Sequence, residues 1–129
     1  MKPVEKMKVL VVDDAPSILL PLEFMMRKNG YDVFVARNGT EAIESVNKEL
    51  PQVVVLDIMM PDVDGYEVCR YIRSKEEMKD AKVIFLSAKS KDADIKKGYE
   101  VGADLYIPKP FSPRYLLEKI KELTQNQEL

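Results

Sequence analysis

Five polar side chains follow apolar stretches of this sequence and could act together chemically. Asp13 and Asp14 follow one stretch, Asp57 follows a second, and Ser87 and Lys109 follow two others. Three carboxylates held close together raise each other's pKa, and a divalent cation removes that conflict. Mg²⁺ takes about six oxygen ligands, usually including waters and phosphate oxygens, and a lysine offers a point charge to a phosphoryl oxygen. The set predicts a site that handles a phosphoryl group beside Mg²⁺.

The chain contains no histidine, which excludes several kinds of chemistry. Ser-His-Asp and Cys-His catalysis cannot occur within it, and neither can zinc or iron sites with histidine ligands. The pattern G-x-x-x-x-G-K-[ST] is also absent, so Asp13-Asp14 does not belong to a P-loop ATPase. Any metal bound here must be a hard cation held by oxygen atoms.

The composition is that of a globular protein with one core. The chain has 129 residues, 46% hydrophobic and 33% charged, with a formal net charge of −2. No apolar run is long enough to span a membrane, and no basic excess suggests a nucleic-acid or anionic membrane surface. The single cysteine, Cys69, is expected to be a small core residue. The predicted location is the reducing cytoplasm.

Strand-like and helix-like segments alternate five times. The apolar runs are rich in Val, Ile and Phe, and three are nearly unbroken, which indicates strands buried on both faces. They are Lys8–Val12, Asp32–Ala36, Val53–Leu56, Val83–Leu86 and Leu105–Ile107. Helix-start signals occur at Asn38-x-x-Glu41 and Ser112-Pro113. The alternation predicts an α/β fold with a parallel sheet covered by helices, and ligands bind beyond the carboxyl ends of such strands.

The first helix has two unusual features. Pro21 lies inside it, where proline removes a hydrogen bond, so we expect a kink or a late start of the helix. Leu19, Leu20 and Phe24 make the helix apolar on more than one side. They either form an exposed patch for a partner protein or are rotated inward by a kink at Pro21.

Four motifs resemble the receiver domain of two-component response regulators (CheY-like). They are "VLVVDD" (9–14), "VVVLDIMMPDVDG" (53–65), "VIFLSA" (83–88) and "GADLYIPKPF" (102–111). The resemblance implies a doubly wound, flavodoxin-like fold, with five parallel strands in the order 2-1-3-4-5 and five helices on both faces. It implies one receiver domain over residues 7–124, with 1–6 and 125–129 as flexible ends or a linker stump.

The resemblance also implies a role for each site residue. Asp57 would be the phosphoacceptor, attacking the phosphohistidine of a partner kinase. Mg²⁺, for which Mn²⁺ could substitute, would be held by Asp13, Asp14, Asp57 and the backbone carbonyl of Met59. Lys109 and the metal would stabilise the charge on the transferring oxygens. The chain would catalyse its own phosphorylation and dephosphorylation, as a signalling switch and not a turnover enzyme.

The same resemblance implies a pair of switch residues and two positions that set the lifetime of the phosphoaspartate. Ser87 and Tyr106 match the switch pair that couples the phosphoryl group to the fourth helix. Met59 and Lys89 occupy the two positions that tune the lifetime of the phosphoaspartate, and Met59 offers no hydrogen bond to an attacking water. Lys109-Pro110 matches a cis peptide.

The partners that the resemblance implies are proteins. They are a sensor histidine kinase or a histidine phosphotransfer protein, and a downstream target or an output domain. Two copies could pair through a face built from the fourth helix, fifth strand and fifth helix. No direct contact with nucleic acid or membrane is expected.

Two other functions compete with this interpretation. One is a receiver-like interaction module that takes no phosphate, against which the complete set of site residues argues. The other is a phosphatase of the haloacid dehalogenase type. Those enzymes need a second aspartate two residues after the nucleophile, where this chain has Met59.

Overall fold

Strands and helices alternate along the chain as the sequence predicts. The computed structural model describes residues 6–125. The strands are β1 (Lys8–Val12), β2 (Asp32–Ala36), β3 (Val53–Leu56), β4 (Lys82–Ser87) and β5 (Leu105–Pro108). The helices are α1 (Pro16–Lys28), α2 (Gly39–Glu49), α3 (Gly65–Ser74), α4 (Asp92–Glu100) and α5 (Pro113–Thr124), with a short 3-10 helix at Glu76–Met78. Of the predicted flexible ends, residues 1–5 and 126–129 lie outside the described residues.

The five strands form one parallel sheet in the order β2-β1-β3-β4-β5, which confirms the predicted fold. In this register Val12 pairs with both Ala36 and Leu56, at the last residues of β1, β2 and β3. Ser87 pairs with Pro108 at the ends of β4 and β5. The carboxyl ends of all five strands therefore line one edge of the sheet.

Each strand contributes to two cores because successive side chains point to opposite faces. In β1, Leu10 and Val12 pack on one face with residues of α2 and α3, whereas Val9 and Val11 pack on the other with residues of α1 and α5. The four residues of β3 are all buried. Burial on both faces explains why β1 and β3 are continuous apolar runs.

Helix α1 runs through Pro21 from its start at Pro16, so the expectation of a late start was wrong. Pro21 and Ser17 are both exposed. The carbonyl of Ser17, which would accept the missing hydrogen bond, therefore lies on the solvent side, where water can satisfy it.

The apolar residues of α1 divide between the core and the surface. Leu19 is buried, but Leu20 is 63% exposed and Phe24 is 70% exposed. Of these three residues, only Leu19 faces the core, and Leu20 and Phe24 form an exposed apolar surface on α1. Within residues 6–125, none of the helices combines the length and the apolar character needed to cross a membrane.

Both predicted helix starts are confirmed. The side chain of Asn38 accepts a hydrogen bond from the backbone N–H of Glu41, and the Glu41 carboxylate accepts one from the N–H of Arg37. Ser112 likewise caps α5 by accepting from the N–H of Tyr115.

Cys69 is a core residue, as predicted. Its side chain is fully buried, and its thiol donates to the carbonyl of Val101 on the segment that follows α4. Burial raises the pKa of the Cys69 thiol to about 11, so the thiol is protonated and unreactive at neutral pH.

Candidate functional site

Two buried aspartates continue the hydrogen-bond ladder of the sheet past the strand ends. The backbone N–H of Asp57 donates to the carbonyl of Val12 at 3.0 Å, and the N–H of Asp13 donates to that of Ala36 at 3.1 Å. Their backbones are thus fixed by neighbouring strands. Because the strands are parallel, both carboxylates emerge at the same edge of the sheet.

The carboxylates of Asp13, Asp14 and Asp57 form one cluster. Each offers an oxygen, and these oxygens lie within 4.8 Å of one another. Asp13 and Asp57 are buried, while Asp14 is exposed and opens the cluster to solvent. Three carboxylates that converge on one point, with solvent access for water ligands, fit a hard divalent cation such as Mg²⁺.

Lys109 faces two of these carboxylates. Its ammonium donates to Asp13 Oδ2 at 2.8 Å and lies 3.6 Å from Asp57 Oδ2. The backbone N–H of Lys109 donates to the carbonyl of Ser87 at 2.8 Å, so the end of β4 fixes its position. The peptide bond between Lys109 and Pro110 is cis, as predicted.

Burial and the neighbouring charges shift the pKa values of Asp57 and Lys109. Burial raises the pKa of Asp57, as does the nearby Asp13, while Lys109 and the N–H groups of Ile58 and Met59 oppose the shift. Burial lowers the pKa of Lys109, but the carboxylates of Asp13 and Asp57 outweigh it, and the net direction is upward. Lys109 therefore stays protonated, and its charge partly offsets the negative charge of the cluster.

The two predicted switch residues meet at the backbone of Lys89. Ser87, the last residue of β4, is fully buried, and its hydroxyl accepts from the N–H of Lys89 at 3.1 Å. The hydroxyl of Tyr106 donates to the carbonyl of Lys89 at 2.6 Å. Both side chains therefore contact the loop that leads from β4 into α4.

Met59 and Lys89, the two predicted tuning positions, line the entrance to the cluster. Met59 is 59% exposed, and the ammonium of Lys89 lies 3.9 Å from the carboxylate of Asp94. An open cavity of about 490 Å³ is lined by both residues and by Asp14. Of the three carboxylates, only that of Asp14 lines this cavity, so the cavity meets the cluster on its exposed side.

Three further residues join the loops and helices around the site, and the sequence did not point to them. Asp62 hydrogen bonds to the first turn of α2. Tyr66 in α3 donates its hydroxyl to the carbonyl of Asp94 in α4. Tyr99 in α4 is 44% exposed, and its hydroxyl accepts from the N–H of Tyr106. No sequence pattern marks these contacts, because each joins elements whose packing the sequence does not specify.

A family comparison agrees with this geometry. The family described as response regulator receiver domain matches residues 9–121. The match includes all of the carboxylate cluster, Lys109, and the residues at the ends of β3, β4 and β5.

Solved structures of similar sequence share the fold. A CheY-like response regulator receiver domain protein from Methanospirillum hungatei is 31% identical, with a TM-score of 0.89 over 96% of this chain and 98% of that one. The chemotaxis response regulator CheY4 of Vibrio cholerae is 29% identical, with a TM-score of 0.86 over 92% and 99%. The response regulator DrrB, an OmpR/PhoB homologue from Thermotoga maritima, is 36% identical, with a TM-score of 0.85 over 95% of this chain but 54% of its own. This chain therefore matches about half the length of DrrB.

Proposed function

Since the chain belongs to the response regulator receiver domain family, we propose that it accepts a phosphoryl group on Asp57 from a phosphohistidine of a partner protein. The observation that carries the proposal is the meeting of Asp13, Asp14 and Asp57 within 4.8 Å, beside the ammonium of Lys109. A nucleophile, a cation site and a fixed positive charge together supply what phosphoryl transfer asks of a protein.

We propose Mg²⁺ as the cofactor, with Mn²⁺ as a substitute. Its ligands would be the carboxylates of Asp13, Asp14 and Asp57 and the backbone carbonyl of Met59, with water and phosphoryl oxygens completing the shell. Bound there, the cation would neutralise the negative charge that the cluster and the phosphoryl group place together. The donor set fits because every side chain in it offers oxygen and none offers nitrogen or sulfur.

Asp57 is the nucleophile in this proposal. A carboxylate oxygen of Asp57 forms a bond to phosphorus as the bond between phosphorus and the histidine nitrogen breaks, which yields an acyl phosphate. Asp57 Oδ1 accepts from the N–H of Ile58 at 2.8 Å, and Oδ2 faces Lys109. This orientation holds the carboxylate still and keeps one oxygen beside a positive charge that can stabilise the transferring phosphoryl oxygens.

Ser87 and Tyr106 then carry the signal in the proposal. A phosphoryl group on Asp57 would attract the hydroxyl of Ser87, which at present accepts from Lys89. Donation of this hydroxyl to a phosphoryl oxygen would draw Ser87 towards Asp57, and with it the loop between β4 and α4, which the Tyr106 hydroxyl also contacts. Two states of this loop, populated differently with and without phosphate, would change the surface of α4.

The proposed partners follow from these roles. A sensor histidine kinase or a histidine phosphotransfer protein supplies the phosphoryl group, and a downstream protein or an output domain reads the surface of α4. The face of α4, β5 and α5 is the proposed contact between two copies. Its apolar side chains include Tyr99 and Tyr115, each 44% exposed.

The proposal is tested by incubating the purified chain with acetyl phosphate, with and without Mg²⁺, and measuring its intact mass. We expect one phosphoryl adduct that forms with Mg²⁺ and does not form in EDTA, because the carboxylates need the cation to approach a phosphate. Folding is checked by circular dichroism in both buffers. A folded chain that gains no adduct under either condition would instead favour an interaction module that takes no phosphate.

We expect the adduct to decay slowly, over minutes or longer. The Met59 side chain is exposed at the entrance. Its thioether is only a weak hydrogen-bond acceptor, so it does not hold an attacking water as a carboxamide would. The decay is followed by intact mass after the phosphodonor is removed. Met59→Asn should shorten the lifetime, whereas Met59→Leu should leave it unchanged. Loss of the wild-type adduct within seconds would show that Met59 does not protect it.

A further inference from the structure

Asp62 joins the loop after β3 to the N-terminus of α2. Its Oδ1 accepts from the backbone N–H of Gly39 at 3.0 Å, and its Oδ2 accepts from the N–H of Thr40 at 2.9 Å. The hydroxyl of Thr40 also donates to Oδ2 at 2.5 Å. These bonds, with the one from the Thr40 hydroxyl as the largest influence, lower the pKa of Asp62 well below its ordinary value. The carboxylate is therefore ionised at neutral pH.

Asp62 completes the hydrogen bonding of the first turn of α2. The first four N–H groups of a helix have no partner inside it. Of these, the N–H of Glu41 donates to the side chain of Asn38, and those of Gly39 and Thr40 donate to Asp62. The N–H of Ala42 donates to the carbonyl of Asn38 and begins the hydrogen bonding of the helix itself. The start of α2 thus depends on a residue 22 positions away from Thr40.

The loop and α2 are also in direct backbone contact. A Cβ atom on Gly39 would lie 2.3 Å from the carbonyl oxygen of Val63 and 2.6 Å from its Cβ, so only glycine allows this approach. The N–H of Asp57 donates to the carbonyl of Val12 at the end of β1, and the N–H of Gly65 donates to the carbonyl of Ile58 at 2.9 Å, which closes the loop on itself. The loop is therefore held to the sheet before Met59 and to α2 after it.

We infer that Asp62 is a positioning residue for the metal site. This rests on the proposed function, in which the carbonyl of Met59 is a ligand of Mg²⁺. Asp62 acts through the loop: its bonds to Gly39 and Thr40 fix the chain three residues after Met59, and so fix the direction of the Met59 carbonyl. Partners that orient metal ligands typically change metal affinity by 10-fold or more when they are removed.

The test compares Asp62→Ala with Asn38→Ala. Both variants remove a cap from the same helix, but only Asp62→Ala releases the loop. The Mg²⁺ dissociation constant is measured by isothermal titration calorimetry, and unfolding is measured in urea without metal. We expect both variants to be less stable than the wild type. Asp62→Ala should weaken Mg²⁺ binding roughly 10-fold, while Asn38→Ala should leave it within about twofold.

Two milder substitutions keep the test decisive if Asp62→Ala does not fold. Thr40→Ala removes the hydrogen bond from the Thr40 hydroxyl to Asp62, and Thr40→Ser restores it. We expect weaker Mg²⁺ binding in the first variant and wild-type binding in the second. Equal Mg²⁺ affinity in the wild type, Asp62→Ala and Thr40→Ala would overturn the inference and leave the proposed function intact. A wild-type chain that binds no Mg²⁺ would overturn the proposed function itself.

Discussion

Asp57→Asn is expected to abolish the phosphoryl adduct and to stabilise the metal-free fold. The amide is not a nucleophile towards phosphorus, so the adduct seen by intact mass should disappear completely. The same substitution removes a buried negative charge that lies beside Asp13. Single stabilising substitutions commonly contribute about 0.5–2 kcal/mol, and we expect a gain of roughly 1 kcal/mol here. Loss of function combined with a gain in stability is the signature of a residue kept for chemistry.

The stabilisation by Asp57→Asn should depend on pH in a defined direction. The pKa of Asp57 is raised above its ordinary value of 3.8, chiefly by burial. The wild type therefore has its full stability from this group below pH 3.8, where the carboxyl is protonated in both states, and loses it as the pH rises through the folded-state pKa. The advantage of the asparagine variant should be present at neutral pH and vanish below that value. Urea unfolding in EDTA across this range measures it.

Asp13→Asn is the matched control. Asp13 is also buried, but its carboxylate accepts from the ammonium of Lys109 at 2.8 Å and from the N–H of Ala15 at 3.0 Å. Removing a charge that is this well paired should destabilise the fold. An adduct that persists in Asp57→Asn would place the acceptor elsewhere. A loss of stability in Asp57→Asn would show that the ion pair with Lys109 outweighs the cost of burying the Asp57 carboxylate.

The sheet could be predicted because its determinants are local. The runs at 8–12, 32–36 and 53–56 match the strands to the residue. For β3, and for β1 after Lys8, the reason is burial on both faces, which requires a continuous apolar run. β4 extends one residue further at each end than its apolar run. Lys82 pairs with Val53 and donates its N–H to the carbonyl of Gln52, and Ser87 pairs with Pro108. Both extensions are set by neighbouring strands and not by the hydrophobicity of the residues.

The site could be predicted only in part, for a related reason. Asp13, Asp57 and Lys109 were found because their places at strand ends follow from the strand pattern. The sequence does not point to Asp62, because its partners, Gly39 and Thr40, lie more than 20 positions earlier. The packing of α2 against the loop after β3 decides that contact. Side chains that bridge two packed elements are invisible until the packing is known.

Gly65→Ala is expected to cause the largest loss of stability among substitutions near the site. A Cβ atom at this position would lie 2.3 Å from the carbonyl oxygen of Asp57 and 2.8 Å from Cα of Ile58. Both are backbone atoms next to the end of β3, so they cannot move aside as a side chain would. Overpacking of a rigid contact costs about 1–3 kcal/mol and sometimes more, and we expect the upper part of that range. Urea unfolding in the absence of metal measures the loss.

The same substitution should also weaken Mg²⁺ binding, because the clash is relieved only if the loop moves away from Asp57. Calorimetry should show a loss of affinity of 10-fold or more, as for other changes in the groups that orient metal ligands.

Gly30→Ala is the matched control. Gly30 has a φ of +92° with no atom within 4 Å of a Cβ, and it follows α1, away from the cluster. That variant should lose about 1 kcal/mol from backbone strain and bind Mg²⁺ as the wild type does. If Gly65→Ala is as stable as the wild type, the loop moves away from the clash at little cost. In that case the attachments of the loop to the sheet and to α2 do not hold the Met59 carbonyl in place.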